Sequence, residues 1–565
     1  MKVSTLLFFL MVALSLASCK KDKDATPQAD LLVSTEALSF ANAGETKTFY
    51  VKANVNWTAQ SSETWLQLSA SSGTSGTNKV DVSAAANALV ADRSATITIK
   101  AGDITKTISV TQSASSLFSV DKTEFNADHN QQELTFPVSS NGAYSIEFSA
   151  DWLSRKAEPS KSGNVYTETI VLNRNGNIFD REATITLKKG AESKTISVKQ
   201  LGNLKNVAAT NTGVSSDAPT LAAKLKVGWN LGNSLEATSA TAASETSWGN
   251  PKTSKQLIDK VKAAGFNSIR IPCAWSAYIE DPATYKIKDS WLARVKEVVD
   301  YCVDNDMYAI INIHWDGGWL EENPTYAAQT EVNKKQKALW EQIAVYFRDY
   351  DEHLIFAGTN EVHANYNTPT AEHIKVQESY NQTFVDAVRA TGGRNAYRNL
   401  AVQSYNTNIK FAIDYMTMPT DPATQRLFTE VHFYDPYDFT LDEKSDKYLW
   451  GKDFKNSANA PNWGQEDWVD AQFASIKAKF VDKGIPVIMG EYGAILRNVG
   501  AGQANHVKAR NYYLSYVTKK AKENGMIPFY WDNGPSGLNS FGLFNRTTGA
   551  VEHQDALDAI IQAAQ

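Results

Sequence analysis

Two glutamates stand where short apolar runs end. Glu361 closes Ala357-Gly358-Thr359-Asn360-Glu361, and Glu491 closes Val487-Ile488-Met489-Gly490-Glu491, just ahead of Tyr492-Gly493. Such apolar runs read as buried strands. Two carboxyl groups flanking one bond are what glycosidic hydrolysis needs: one protonated to assist the leaving oxygen, the other ionised to attack the anomeric carbon. Their surroundings must drive the two pKa values apart. Further polar or aromatic groups end similar runs: Asn230 and Asn233, Arg270, His314, Asn360, Gln403, His432 with Tyr434, and Trp531. Core packing accounts for any one of these residues, but not for such groups at nearly every strand end.

The elements that position them form a strand–helix repeat. Eight apolar runs lie at 227–231, 268–272, 309–314, 355–359, 400–403, 427–432, 487–490 and 527–531. Amphipathic stretches separate them, among them 255–264, 292–303, 335–347, 378–390, 468–481 and 507–523, and 557–564 closes the chain. Unbroken apolar runs are the mark of parallel strands covered on both faces. Eight units within 221–565 predict a (β/α)8 TIM barrel, with its reactive groups at the C-terminal strand ends. Strands four and seven oppose each other across the mouth, so Glu361 and Glu491 can share one cleft.

The N-terminal third repeats itself. Asp92-Arg93-Ser94-Ala95-Thr96-Ile97-Thr98-Ile99 recurs 88 positions on, from 92 to 180, as Asp180-Arg181-Glu182-Ala183-Thr184-Ile185-Thr186-Leu187. The stretch Thr107-Ile108-Ser109-Val110 recurs at the same offset as Thr195-Ile196-Ser197-Val198, and Trp65-Leu66 recurs 87 positions on as Trp152-Leu153. Period-two alternation broken by Gly, Ser and Asn predicts two Ig-like all-β sandwiches, 31–113 and 117–201. A Ser-, Thr- and Asn-rich linker, 202–220, follows. Ahead of the sandwiches, an apolar run at 6–16 is too short to span a bilayer and reads as a signal-peptide core. Leu16-Ala17-Ser18-Cys19 resembles a bacterial lipobox, which implies a signal peptide over 1–18, lipid on Cys19 and a charged tether over 19–30. An outer-membrane lipoprotein exposed at the cell surface is the expectation, anchored by that lipid and otherwise a monomer.

Composition narrows the remaining classes. With 56 Lys and Arg against 62 Asp and Glu, a polyanion such as nucleic acid is not the expected ligand. Three cysteines are too few for a disulfide framework or a Cys-based zinc site. Cys273 and Cys302 read as buried free thiols. No His-Glu-x-x-His is present, and His314-Trp315-Asp316 points its side chains apart, so neither a metal nor a cofactor is expected.

The motifs Gly228-Trp229-Asn230-Leu231-Gly232-Asn233, Trp248-Gly249-Asn250-Pro251, Ile269-Arg270-Ile271-Pro272, Asn312-Ile313-His314-Trp315, Asn360-Glu361, His432-Phe433-Tyr434-Asp435 and Gly490-Glu491-Tyr492-Gly493 occur in one order. Together they resemble glycoside hydrolase family five, in its endo-β-1,4-glucanase and xyloglucanase branch, across nearly all of 221–565. The two repeats resemble BACON modules of Bacteroidetes surface proteins, expected here as spacers.

The resemblance implies Glu361 as general acid/base and Glu491 as nucleophile. It implies Asn360 on the 2-hydroxyl of the −1 sugar, Arg270 keeping Glu491 ionised, Tyr434 orienting Glu491, His314 and His432 positioning sugar and acid/base, and Trp531 as the stacking floor. Trp248, Trp275, Trp315 and Trp319 are candidates for other subsites. Val362 stands where the family usually has proline, which is expected to alter local geometry more than chemistry. His363 reads as a loop residue. The expected substrate is a plant cell-wall glucan, xyloglucan foremost, with 319–331 as a candidate cleft wall. The alternatives are a mixed-linkage β-glucanase, cellulase or β-mannanase of the same family, and, from another class, a non-catalytic glycan-binding lipoprotein.

Overall fold

The computed structural model describes residues 28–238 and 244–565. The segment read as a signal peptide, Cys19 and most of the segment read as a tether lie outside the described residues. Eight strands close into a barrel in chain order. They are β1 Gly228–Asn230, β2 Ser268–Ile271, β3 Tyr308–Asn312, β4 Leu354–Ala357, β5 Leu400–Asn408, β6 Leu427–Phe433, β7 Val487–Tyr492 and β8 Met526–Tyr530. Every neighbouring pair is parallel, including the closing pair β1–β8. The fold is a (β/α)8 barrel preceded by all-β modules.

Two apolar layers hold it. Between strands and outer helices lies the larger core, with Trp229, Ile269, Ile311, Phe356, Val402, Val431 and Met489 on the strand side. Inside the barrel, Ile310, Ile355, Ala357, Ala401, Phe428, Ile488, Ile527 and Phe529 form a second cluster. The helix Ala218–Lys224 adds Ala218 and Leu221 to that cluster, and Leu225 follows it. Each buried Ile or Phe contributes roughly 1.5–3 kcal/mol. Alternation along a strand then dictates what stands nearer the C-terminal mouth. Above Phe428 on β6 come Glu430 and His432, all three buried. The inner face therefore changes from oil to charge within one strand.

Several boundaries differ from the periodicity. The helices Asp289–Val303, Tyr326–Tyr346 and Ala371–Ala390 begin earlier than their apolar stripes, because their first turns carry few core residues. Thr370 starts the third, its side chain accepting from the His373 amide. Helix Tyr326–Tyr346 absorbs the second half of the stretch 319–331, which leaves only 319–325 as a loop. The segment read as a linker is tied down. Val207 N donates to Thr391 O at 3.3 Å, Thr210 N to Gly393 O at 3.1 Å, and Asn399 Nδ2 to Ser216 O at 2.8 Å. Its side chains show no period because the backbone makes these bonds.

Each sandwich pairs two antiparallel-rich sheets. In the first, Leu31–Val33, Glu45–Ala53, Gly76–Ala84 and Leu66–Leu68 form one sheet, and Ala37–Phe40, Ile104–Gln112, Arg93–Ala101, Trp57–Ser61 and Ser72–Gly73 the other. Phe49, Val51, Val80, Ile97, Ile99 and Ile108 are wholly buried between them, with Trp57. The repeated Asp-Arg is more than a turn. Arg93 Nε donates to Gln112 Oε1 at 2.8 Å, and Arg181 Nε to Gln200 Oε1 at 2.9 Å. Arg93 also lies over Trp65, 4.3 Å from its ring centre. The arginine of the motif thus satisfies a fully buried glutamine on the adjacent strand.

Candidate active site

Arg270, near the end of β2, is the hub. Its Nη1 donates to Glu491 Oε1 at 2.8 Å and to Asn230 Oδ1 at 3.1 Å, and its Nη2 to Asn360 Oδ1 at 2.7 Å. Its Nε lies 2.9 Å from Glu430 Oε1, close enough for an ion pair but off the line of a hydrogen bond. The guanidinium is fully buried. Asn230 in turn donates to Gly490 O at 2.8 Å, fastening β1 to the turn of chain that presents Glu491.

Glu491 takes donors on both oxygens: Arg270 on Oε1, and the Tyr434 hydroxyl on Oε2 at 3.0 Å. Tyr434 stays a phenol, since burial and the carboxylates around it push its pKa well up. Glu361 faces His432, whose Nδ1 donates to Glu361 Oε1 at 2.6 Å and lies 3.7 Å from Glu491 Oε2. Thr407 Oγ1 donates to the same Glu361 oxygen at 3.4 Å. Thr407 reaches it because β5 breaks register between Gln403 and Asn408, with Asn406 and Thr407 in left-handed backbone conformations. Oxygens of Glu361 and Glu491 and a nitrogen of His432 lie within 4.8 Å of one another. Among the described residues these are also the side chains grouped closely enough to hold a cation. Much of their charge is already met by Arg270 and the proton on His432.

The location of that proton differs from the simple assignment. Burial disfavours the His432 cation, but the charges of Glu491, Glu361 and Glu430 outweigh it and raise its pKa to about 9. Burial works against the Glu361 charge too, yet the His432 hydrogen bond and the Arg270 cation hold it below the ordinary carboxylate value. For Glu491, burial and the Glu361 charge prevail over His432, Arg270 and Tyr434, and its pKa rises. The exchangeable proton therefore rests on the His432 side of the His432–Glu361 pair. Charged neighbours at under 4 Å decide this.

His314 is neutral, because burial and the cations Arg270 and His432 keep its pKa well down. Its ring lies parallel to Trp531, at 8° and 5.9 Å between centres, forming one wall. Trp248 and Trp315 are both more than a third exposed, with rings 6.2 Å apart. Trp275 is no subsite candidate: it is fully buried and donates to Asn312 O at 2.8 Å. Trp319 is half-buried, with Lys335 Nζ 4.1 Å from its ring centre and its Nε1 donating to Asp316 at 2.7 Å. Val362 is fully buried against Leu320, Val332, Val376 and Tyr380. His363 has a local task, its Nδ1 lying 2.6 Å from Glu361 O.

A cellulase model, glycosyl hydrolase family 5, matches residues 233–537. The chain belongs to glycosyl hydrolase family 5. Models of the viral BACON domain and the BACON domain match 30–115 and 123–201. The family 5 chain is 40% identical to the xyloglucan-specific endo-beta-1,4-glucanase BoGH5A of Bacteroides ovatus over 458 residues, 78% of this chain and 89% of the relative. It is similar to the solved structure of the Bacteroides ovatus GH5 xyloglucanase in complex with a XXXG heptasaccharide. There the TM-score is 0.61 and the identity 34%, over 95% of this chain and 100% of the other. A GH5-4 broad specificity endoglucanase from Bacteroides salanitronis aligns with TM-score 0.58 at 39% identity, over 62% and 96%.

In this family 5 site, Glu430 and Thr407 escaped the sequence reading. Glu430 had a signal: a charge inside the apolar run Leu427-Phe428-Thr429-Glu430-Val431-His432-Phe433, two residues from His432 and so on its face. It is fully buried, accepts from Gln403 Nε2 at 2.6 Å and faces His432 Nε2 at 3.4 Å. Gly490 makes room for it, since a Cβ there would strike its carboxyl. Thr407 had no signal, because only the register break delivers it.

Proposed function

We propose that this family 5 hydrolase is a retaining endo-β-1,4-glucanase whose substrate is xyloglucan. The observation that carries the retaining reading is the carboxyl separation: oxygens of Glu361 and Glu491 within 4.8 Å. That is close to the ~5–5.5 Å of double-displacement sites and short of the ~6.5–9.5 Å that leave room for water. Glu491 is the nucleophile. Its oxygens carry the two fixed donors that must take back its charge when the ester breaks. Glu361 is the acid/base. As the glycosidic C–O bond breaks, His432 passes its proton across 2.6 Å to Glu361, which relays it to the leaving oxygen, so that His432 ends neutral and Glu361 ionised. Glu491 forms the ester with the anomeric carbon. In the second step water attacks that carbon, and its proton returns to the Glu361–His432 pair. Asn360 holds the 2-hydroxyl, Trp531 with His314 forms the floor and wall of the −1 subsite, and Arg270 and Tyr434 orient Glu491.

Xyloglucan is supported by the names of the relatives at 40% and 34% identity. A second reading, cleavage of unbranched β-glucans as well, is favoured by the broad specificity relative at 39%. The lipobox-like Leu16-Ala17-Ser18-Cys19 and the charged residues after it support a lipid-anchored, surface-exposed monomer at the outer membrane.

Product analysis on tamarind xyloglucan, carboxymethylcellulose, barley β-glucan and galactomannan separates the substrates. Short branched oligosaccharides from xyloglucan in clear preference support the first reading, and equal cleavage of unbranched glucans replaces it with the second. Glu491→Ala with azide tests the roles. Rescue with inverted product stereochemistry is expected, and unimpaired activity without azide would remove Glu491 as nucleophile. Cys19→Ala is expected to release the protein from the membrane fraction.

A further inference from the structure

One buried carboxyl in the cleft wall has no part in the chemistry above. Glu321 lies in the loop 319–325 and is only 5% exposed. Its Oε2 accepts from Asn360 Nδ2 at 3.1 Å and from Glu361 N at 3.3 Å, and its backbone oxygen accepts from His363 N at 2.7 Å. One residue thus holds three positions of the segment that carries Asn360 and Glu361. Among the described residues no cation pairs with it. Burial, and after it the Glu361 charge, raise its pKa to about 8. A leucine would fill this volume without that desolvation cost, so packing does not account for a carboxyl here.

The loop that carries Glu321 is itself held. Leu320 is buried against Val362 and Tyr380, Asn323 Nδ2 donates to Gly318 O at 3.0 Å, and the Tyr380 hydroxyl donates to Asn323 O at 2.7 Å. Glu321 is therefore a fixed acceptor. A side-chain amide has two chemically different ends and can present either one by a half-turn. At Asn360 both ends are specified: Arg270 donates to Oδ1 and Glu321 accepts from Nδ2. One N–H of Nδ2 remains for a ligand in the cleft.

We propose that Glu321 is a positioning residue for hydrolysis: it fixes the Asn360 amide with its N–H toward the sugar 2-hydroxyl and holds the Glu361 backbone in place. The inference rests on the roles proposed for Asn360 and Glu361. A contact that strengthens in the transition state should depend on the group that orients its donor.

The test uses the full-length enzyme with an aryl β-cellobioside and the analogue lacking the 2-hydroxyl on the ring that bears the aryl group. In the parent, loss of that hydroxyl should lower kcat/KM on the order of 10²–10³-fold, the several kcal/mol such contacts supply. Glu321→Leu is expected to lower kcat roughly 10–100-fold on the normal substrate, the scale of a misplaced reacting group, with KM changed far less. Its penalty for the missing hydroxyl should shrink at least about tenfold, because coupled groups are non-additive. Glu321→Gln keeps an acceptor oxygen and is expected to keep most of the penalty. It also serves if the leucine variant does not fold. A full parental penalty in Glu321→Leu, or a penalty in Glu321→Gln lost as fully as in Glu321→Leu, overturns the proposal. Absence of any penalty in the parent overturns instead the role of Asn360 on which it rests.

Discussion

Replacing Glu430 by glutamine tests the electrostatic account of the site without touching a group that meets substrate. Glu430 is fully buried, paired with Arg270 at 2.9 Å, and 3.4 Å from His432 Nε2. Glutamine keeps its volume and an acceptor for Gln403, but removes one negative charge. At an effective dielectric of about 20, a unit charge at 3.4 Å acts on His432 with about 5 kcal/mol. The Arg270 cation on the same oxygen cancels most of this. If about a quarter survives, the effect is ~1.2 kcal/mol, close to one pKa unit. The sign follows from the charge. Without Glu430 the imidazolium is less favoured, so the His432 pKa should fall from about 9 to about 8. Arg270 then belongs more fully to Glu491, whose pKa should also fall. Both limbs of the bell-shaped dependence of kcat/KM should therefore move toward acid, the alkaline limb by about one unit. Steady-state kinetics on an aryl cellobioside across pH provide the measurement. An alkaline limb that stays in place, or moves toward base, would refute the claim that the carboxylate cluster holds the proton on His432.

Three further outcomes follow from the structure. Because the folded His432 pKa, about 9, lies above its ordinary 6.5, its contribution to stability is full below about pH 6.5 and lost as pH rises through about 9. Thermal unfolding should show that loss in the parent and less of it in His432→Gln. Glu361→Ala should cost on the order of 10²–10⁴ in kcat/KM on glucan and much less on a dinitrophenyl cellobioside, whose leaving group needs no proton. Equal losses on both substrates would count against its role as acid. Trp57, 1% exposed in the first sandwich, should cost about 3–5 kcal/mol as Trp57→Ala. Calorimetry of the full chain should show the first sandwich melting earlier, while kcat/KM on glucan stays at the parental value.

Much of the architecture was legible because barrels and sandwiches differ in period. Unbroken apolar runs such as Val487-Ile488-Met489 marked the parallel strands, and alternation in Thr107-Ile108-Ser109-Val110 marked the antiparallel ones. Boundaries were less legible where backbone rather than side chains made the bonds. The strap over 207–217 and the first turn of Tyr326–Tyr346 are the clearest cases. In the site, the residues at strand ends announced themselves by chemical type in an apolar setting. Trp275, by contrast, has the type of a sugar-stacking residue and the burial of a core residue. Only packing separates the two.

The sequence by itself determined the (β/α)8 barrel, the two sandwiches and the presence of two strand-end carboxylates, because hydrophobic period and residue type are local properties. Tertiary structure decided the electrostatics. Glu430, Thr407 and Glu321 come to Arg270, Glu361 and Asn360 across sequence separations of 160, 46 and 39 residues, set by barrel closure, a register break and a loop. Which group carries the proton depends on distances of 2.6 to 3.7 Å among charges at the cleft floor. At that range a Coulomb energy changes by kcal/mol per ångström, and no pattern along the chain encodes it.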